Sequence, residues 1–229
     1  MKVLVTGAKG MVARAVAEYC RSVGDEVIAL DRSSLDISDR EVCRSTADSI
    51  LPDAIINCAA FTDVDGAESN EIAAYAANSD GPANLAAAAK NCGAKFLTIS
   101  TDYVFDGTSD GFYTEEDIPN PLGVYAKTKY DGELRAAEEN ADSVIVRSGW
   151  IYGFGGTNFL SVIPDLLKAG KQITAISDSF GTPTFAGDLA RRLRELAAKD
   201  VKEVVHLTND GMGSTYYGVA CEIADLLGI

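Results

Sequence analysis

The sequence predicts an α/β fold, a doubly wound parallel sheet with a small discontinuous α/β part appended, on three observations. Short runs rich in β-branched residues recur between helical patterns, which implies parallel pairing through helical crossovers. A glycine-bearing turn, Thr6-Gly7-Ala8-Lys9-Gly10, follows the first run and opens directly onto a helical pattern. At 229 residues, 47% hydrophobic and 24% charged, the chain is long enough to bury one large core and has a globular composition.

Strands are expected at Lys2–Val5, Glu26–Leu30, Ala54–Cys58, Lys95–Ile99, Ser143–Arg147, Gln172–Ile176 and Glu203–Leu207. Between the first two, the segment Met11 to Ser22 places Val12, Ala15, Val16 and Tyr19 on one helix face. The final segment, Ser214 to Leu227, reads as a capped amphipathic helix. No repeat period and no low-complexity segment interrupts this alternation.

Composition also excludes functions. The 34 acidic against 20 basic side chains give a formal charge of -14, which opposes binding to nucleic acid or to an anionic membrane surface. No apolar run approaches membrane-spanning length, and Met1-Lys2 leads straight into a strand with no signal sequence, so a cytoplasmic location is expected. Cys20, Cys43, Cys58, Cys92 and Cys221 are odd in number and contain no Cys-x-x-Cys pair, which fits buried free thiols. His206 lies in an apolar strand pattern with no second histidine, so it reads as structural and no metal-ligand cluster is expected. Glu115, Glu116 and Asp117 read as a solvated loop, and Pro183 as part of a rigid turn.

Two motifs carry chemistry. In the first strand–turn–helix unit, Gly7 and Gly10 are read as supplying positive φ and close backbone approach, with Ala13 in place of a third packing glycine. The backbone amides at the helix N-terminus would then face a pyrophosphate, as in Rossmann-type dinucleotide binding. The second strand ends in Asp31, where a carboxylate accepts from an adenosine ribose hydroxyl and favours NAD. Arg32 beside it carries the opposite message, since a guanidinium accepts the 2′-phosphate of NADP; both cofactors stay open. The second motif is Tyr125-Ala126-Lys127-Thr128-Lys129. On a helix, the four-residue spacing puts Tyr125 and Lys129 on one face, where the ammonium is expected to hold down the tyrosine's proton affinity while the phenol protonates a carbonyl oxygen. Together the motifs read as hydride-transfer machinery using NADH or NADPH.

Further runs sharpen this reading: Asn57-Cys58-Ala59-Ala60-Phe61-Thr62-Asp63-Val64-Asp65, Ser100-Thr101-Asp102-Tyr103-Val104-Phe105-Asp106-Gly107, Gly132-Glu133, Arg147-Ser148-Gly149-Trp150 and Phe180-Gly181-Thr182-Pro183-Thr184. With the two motifs they closely resemble the dTDP-4-dehydrorhamnose reductases, extended short-chain dehydrogenases, in unbroken order from Met1 to about Leu227. The resemblance implies NAD(P)H-dependent reduction of the C4 ketone of a nucleotide-linked 6-deoxy-4-keto sugar, towards dTDP-L-rhamnose. It implies Tyr125 as proton donor, Lys129 as its tuner and ribose ligand, and Thr101 as the hydrogen-bonding partner of the ketone oxygen. By the same resemblance Gly10, Met11 and Val12 line the pyrophosphate, Asp31 meets the adenosine ribose, and Asp36 and Ile37 meet the adenine. Ala60, Phe61 and Thr62 lie along the cofactor, while Asp102 and Trp150 meet the sugar.

The resemblance also implies domain boundaries: residues 1–150 bind the dinucleotide, with 178–210 partly returning to that domain, and 151–177 with 211–229 form the substrate side. Members of the family continue beyond the point that Gly228-Ile229 marks here, so the substrate part is expected to be shorter than theirs. Homodimers, with a magnesium ion between subunits in some members, are implied by resemblance alone. Two alternatives belong to other classes: a dinucleotide-binding regulatory subunit of another enzyme, of the methionine adenosyltransferase type, and a reductase or epimerase of a different nucleotide sugar. Retention of Thr101, Tyr125 and Lys129 together favours the reductase.

Overall fold

A computed structural model describes residues 1–229. Its core is a six-stranded sheet in which every pairing is parallel, made of β1 (Lys2–Thr6), β2 (Glu26–Leu30), β3 (Ala54–Asn57), β4 (Lys95–Ser100), β5 (Val144–Arg147) and the later strand β9 (Val204–His206). The spatial order is β2-β1-β3-β4-β5-β9. The chain leaves β1 towards β2 on one side and returns to β3 on the other, so the sheet has a switch point beside β1, where open α/β sheets bind ligands beyond their strand ends.

Strand alternation divides the core. Val3 and Val5 point to one face with Ile56, Leu97 and Val146, while Leu4 points to the other with Ile55, Phe96 and Ile145. On the first face, helix α1 (Met11–Ser22) packs against α8 (Ala186–Ala197) through Val16, Cys20, Leu189 and Leu193. On the second lie α2 (Arg40–Ile50), α5 (Gly81–Cys92) and α6 (Val124–Glu139). Helix α5 is buried almost throughout and rich in alanine, which lets its neighbours approach closely. It is preceded by α3 (Val64–Ser69), α4 (Glu71–Tyr75) and a π-helical turn, Ala76–Asp80. A Cβ on Gly132 of α6 would collide with the carbonyl oxygen of Asn78 in that turn, so glycine there sets the helix contact.

The rest of the chain forms a smaller α/β part: β6 (Ile151–Tyr152) parallel to β8 (Thr184–Phe185), β7 (Phe180–Gly181) antiparallel to β10 (Ser214–Thr215), and helices α7 (Phe159–Lys168) and α9 (Tyr216–Leu227). The seam between α1 and α8, together with β9, ties the late segment 186–206 back to the main sheet. Two expectations are corrected here. Gln172–Ile176 has no strand pairing, and its contact with regular structure is the Ile176 carbonyl accepting from the amide of Tyr217 at the start of α9. Ile176 is 56% exposed, so the segment lies at the surface instead of joining a ladder. Cys221 is exposed on α9, unlike the buried Cys20 and Cys43. No helix is long and apolar enough to cross a membrane.

Candidate active site

The turn after β1 is built around Gly7, whose φ of +71° and whose missing Cβ both matter: a Cβ there would lie 2.9 Å from the Cα and N of Ala59. Gly10 differs from expectation, since its φ of −73° and ψ of 154° are ordinary extended values. It occupies the N-cap of α1, with no side-chain cap and no acidic residue in the first turn. The amides opening α1 thus meet no anion of the protein's own, and with the Cβ-free cradle at Gly7 they fit a dinucleotide pyrophosphate.

Beneath the cradle, a buried polar ladder crosses three strands at their carboxyl ends. Thr6 Oγ1 donates to Asn57 Oδ1 at 2.6 Å, and Asn57 Nδ2 donates to Thr98 Oγ1 at 3.0 Å. Asn57 Oδ1 also accepts from the Ala59 amide at 3.1 Å. From the other side Asn78, in the π-helical turn, accepts from the Phe61 amide at 2.8 Å and donates Nδ2 to the Phe61 carbonyl at 3.0 Å and to Thr128 Oγ1 at 3.1 Å. Backbone from Ala59 to Phe61 is thereby clamped at both ends beside the cleft. Sequence reasoning missed Asn78 and this ladder; the signal for the ladder was the polar residues Thr6, Asn57 and Thr98 within otherwise apolar strands.

At the end of β2, Asp31 is already engaged. Its Oδ1 accepts from the Ser33 amide, the Ser33 hydroxyl and the Ser34 amide, and its Oδ2 faces Lys9 Nζ at 2.6 Å. The Lys9 ammonium and the Ser33 hydroxyl hold the Asp31 carboxyl well below the usual range. Asp36 accepts from the amide and hydroxyl of Ser38. Ile37 is a core residue, packed where a Cβ on Gly81 would clash.

The cleft itself has a volume of about 670 Å³ and brings together the start of α1, the Cys58–Thr62 segment, the end of β4, α6 and the chain beyond β5. Tyr125 and Lys129 stand one turn apart on α6, as the spacing predicts. The N-cap of this helix is Gly123, which has no side chain; Glu68 of α3 supplies the cap instead, Oε1 accepting from the Val124 amide at 2.7 Å. Thr101, at the end of β4, is buried at the mouth of the cleft, accepts from the Tyr103 amide at 3.2 Å and donates to Asp102 Oδ1 at 3.1 Å. The cleft therefore joins Thr101, Asp102, Tyr125, Lys129 and Trp150, which are scattered in sequence.

Electrostatics here depart from expectation. Burial pushes the Tyr125 phenol up to about 12, opposed in part by the Thr101 hydroxyl and reinforced by Asp102 and Tyr103. The Lys129 Nζ donates to the Ile99 carbonyl at 2.6 Å. Burial brings the Lys129 ammonium down to about 8, with Glu133 acting in the other direction. Asp102 is raised by burial, so this carboxyl resists ionisation. Behind Lys129, Arg147 Nε and Nη2 bind Glu133 Oε1 and Oε2 at 3.0 and 2.7 Å in a fully buried pair, and its guanidinium lies 5.2 Å from the Phe105 ring.

Two hydroxyls, Ser100 Oγ and Ser148 Oγ, are buried on the cleft wall without any partner. Such orphans are uncommon, and a ligand with polar groups would complete them. Trp150 has a φ of +50°, a strained conformation for a bulky residue, and stacks on Tyr216 with ring centroids 3.8 Å apart. Outside the cleft, Glu115 accepts from the His206 amide at 2.7 Å, so this loop docks on β9 instead of being merely solvated. The peptide bond at Pro183 is trans. No group of three or more His, Cys, Asp or Glu side chains is arranged to hold a metal ion.

Comparison with known proteins agrees with the cleft. A family model described as the RmlD substrate binding domain matches residues 1–229. A dTDP-4-dehydrorhamnose reductase from Mycobacterium tuberculosis is 38% identical over 223 residues, covering 94% of this chain and 72% of that protein. The crystal structure of a dTDP-4-dehydrorhamnose reductase from Clostridium acetobutylicum, 39% identical, superposes with a TM-score of 0.94 over 100% of this chain and 81% of its own. The Bacillus anthracis dTDP-4-dehydrorhamnose reductase in complex with NADP, 32% identical, has the same TM-score of 0.94 and the same coverage, 100% and 81%. With its parallel sheet, its glycine cradle and its Thr101–Tyr125–Lys129 cleft, the chain belongs to the dTDP-4-dehydrorhamnose reductase family.

Proposed function

We propose that this protein reduces the C4 ketone of dTDP-4-dehydro-L-rhamnose to the hydroxyl of dTDP-L-rhamnose at the expense of NADPH or NADH. The observation that carries the reading is the convergence of Thr101, Tyr125 and Lys129 in one cleft beside the dinucleotide cradle. A reduced nicotinamide, when bound, supplies the hydride that adds to the ketone carbon. Tyr125, whose high proton affinity keeps it protonated across the physiological range, gives its proton to the ketone oxygen. Thr101 hydrogen-bonds that oxygen as charge develops on it, and the Lys129 ammonium stabilises the same charge and holds the nicotinamide ribose.

Gly7, Gly10, Met11 and Val12 hold the pyrophosphate, and Ala60, Phe61 and Thr62, fixed by Asn78, run alongside the cofactor. Asp102 and Trp150 meet the sugar, and the stack of Trp150 on Tyr216 presents a flat apolar wall to it. Residues 1–150, rejoined in part by 178–210, form the dinucleotide-binding domain, with 151–177 and 211–229 on the substrate side. A cytoplasmic homodimer is the form that the family resemblance supports. The same convergence weighs against a purely regulatory subunit, which has no need of a buried proton donor.

The test follows loss of reduced-nicotinamide absorbance with the 4-keto sugar nucleotide generated in the same tube. Wild type is expected to turn over, and Tyr125→Phe to lose about 10²–10⁴-fold in turnover while binding the dinucleotide at near-wild-type affinity. Wild-type turnover in the variant would remove Tyr125 from the chemistry; a wild type that binds cofactor and leaves the ketone untouched would overturn the assignment.

A further inference from the structure

We infer that Tyr216 contacts the substrate, its phenol hydroxyl forming with the Asp102 carboxyl a donor–acceptor clamp for the sugar hydroxyl on the carbon next to the ketone. The protein thereby selects sugars that keep this hydroxyl. The inference rests on the reductase reading and deepens it by naming the part of the substrate that is recognised, through a residue that neither spacing nor motif singled out.

Three observations support it. First, the fold delivers Tyr216 to the cleft from the far end of the chain and holds it there. In the β7–β10 ribbon Ser214 lies opposite Gly181 and Thr215 opposite Phe180, and Tyr216 is the next residue, the first of α9. The Thr215 hydroxyl caps that helix, accepting from the Gly218 amide at 2.9 Å, which fixes where Tyr216 leaves the ribbon. Its ring lies at 17° to the Trp150 indole in the stack and meets the Phe159 ring edge-on at 5.5 Å. A Cβ on Gly181 would lie 2.4 Å from Cε2 and Nε1 of that indole, so glycine there makes room for Trp150 to support Tyr216.

Second, Asp102 offers a free acceptor. Its Oδ1 takes the Thr101 hydroxyl, no side chain donates to Oδ2, and no cation pairs with the carboxyl. The group lies flat against Gly149, where a Cβ would come within 2.2 Å of Oδ2. A carboxyl set in a cleft among Tyr103, Tyr125, Trp150 and Tyr216 with one side-chain partner calls for another, which a ligand hydroxyl supplies. Third, the Tyr216 hydroxyl is an unpaired donor in the same stretch of the cleft. Burial raises the phenol to about 12, the Asp102 carboxylate and the Tyr103 phenol push the same way, and no hydrogen bond opposes them. A sugar hydroxyl is both donor and acceptor, so between these two groups it gives its proton to Asp102 Oδ2 and accepts from Tyr216 Oη. Asp102 adjoins Thr101, which faces the ketone oxygen, so the group within reach sits on a carbon beside C4. In a 4-keto-6-deoxy sugar C5 bears the methyl group and the ring oxygen, whereas C3 bears a hydroxyl.

Calorimetric titration of the whole chain, loaded with NADP⁺, with dTDP-L-rhamnose and with its 3-deoxy counterpart tests the clamp without reference to turnover. Wild type is expected to bind dTDP-L-rhamnose at least about tenfold tighter than the 3-deoxy compound. Tyr216→Phe keeps the ring and its stack on Trp150 and removes one donor, so a merely structural role of the ring would leave both affinities unmoved. The clamp instead requires the variant to bind dTDP-L-rhamnose about tenfold more weakly and the 3-deoxy compound as wild type does. Wild-type affinities in the variant, equal weakening of both compounds, or a wild type that does not distinguish them would overturn the clamp and leave the reductase reading standing. A wild type that holds the dinucleotide and takes up neither sugar nucleotide would overturn the reductase reading and the clamp with it.

Discussion

Raising the pH through 8 should switch off catalysis by discharging Lys129, with Tyr125 still protonated. Lys129 is 5% exposed, and burial brings its ammonium down to about 8, whereas the Tyr125 phenol is pushed up to about 12. At pH 7 roughly nine-tenths of the enzyme carries the charged lysine, and at pH 9 roughly one-tenth does, so the competent fraction falls about tenfold per unit above pH 8. The assay is kcat/KM for the reduced dinucleotide from about pH 6 to about pH 10, because that ratio reports groups of the free enzyme. A single alkaline limb centred near 8 is expected. Lys129→Arg keeps a charge that is not lost in this range, so its residual activity is expected to run flat across the same span. A limb centred near 10 or above, or one that survives unchanged in Lys129→Arg, would refute the reasoning and return the titration to another group.

Other consequences follow from residues outside the motifs. Glu68→Ala removes the only side-chain cap on the Val124 amide, so it is expected to cost about 1 kcal/mol in urea unfolding and to lower turnover more than cofactor affinity, with Glu68→Gln restoring part of both. An unchanged kcat in Glu68→Ala would show that α6 is positioned without it. Glu133→Gln leaves the buried Arg147 without its counter-charge and is expected to cost about 3–5 kcal/mol, while replacing both partners by Met costs far less; equal losses for the two would contradict a buried-charge origin. Alkaline stability should fall above pH 9, because burial raises Cys20 to about 11 and Cys43 and Cys58 to about 12 from 9.0. The unfolded chain releases these protons first, so each thiol removes about 1.4 kcal/mol per pH unit above 9, whereas Lys129, being depressed, opposes with the slope of one group. A urea midpoint that stays constant from about pH 9 to about pH 10.5 would rule this out.

Much of the fold was legible because its signals are local. Five β-branched runs became the first five strands of the sheet, and a sixth, Glu203–Leu207, became the edge strand β9. The inner strands β1, β3 and β5 are apolar runs buried along nearly their whole length, as strands covered on both faces require. Gln172–Ile176 has the same local preference and no strand beside it, so propensity alone overstated it. The one-turn spacing of Tyr125 and Lys129 is likewise a property of any helix and was readable directly.

The working state of those two side chains was not readable, because it depends on surroundings contributed by distant segments. Proximity in sequence suggested that the ammonium would lower the phenol's proton affinity, yet Lys129 points at the Ile99 carbonyl and desolvation dominates both groups. Asp31 stands in the sequence without a partner, and only β1–β2 pairing delivers Lys9 to it. The Glu68 cap, the Asn78 clamp on Phe61 and the strained backbone of Trp150 are equally non-local. Period and residue type determined the elements and the kind of chemistry, since both are encoded within a few residues. Only tertiary structure decided charge states and hydrogen-bond partners, because these are through-space quantities set by burial and by groups far away along the chain.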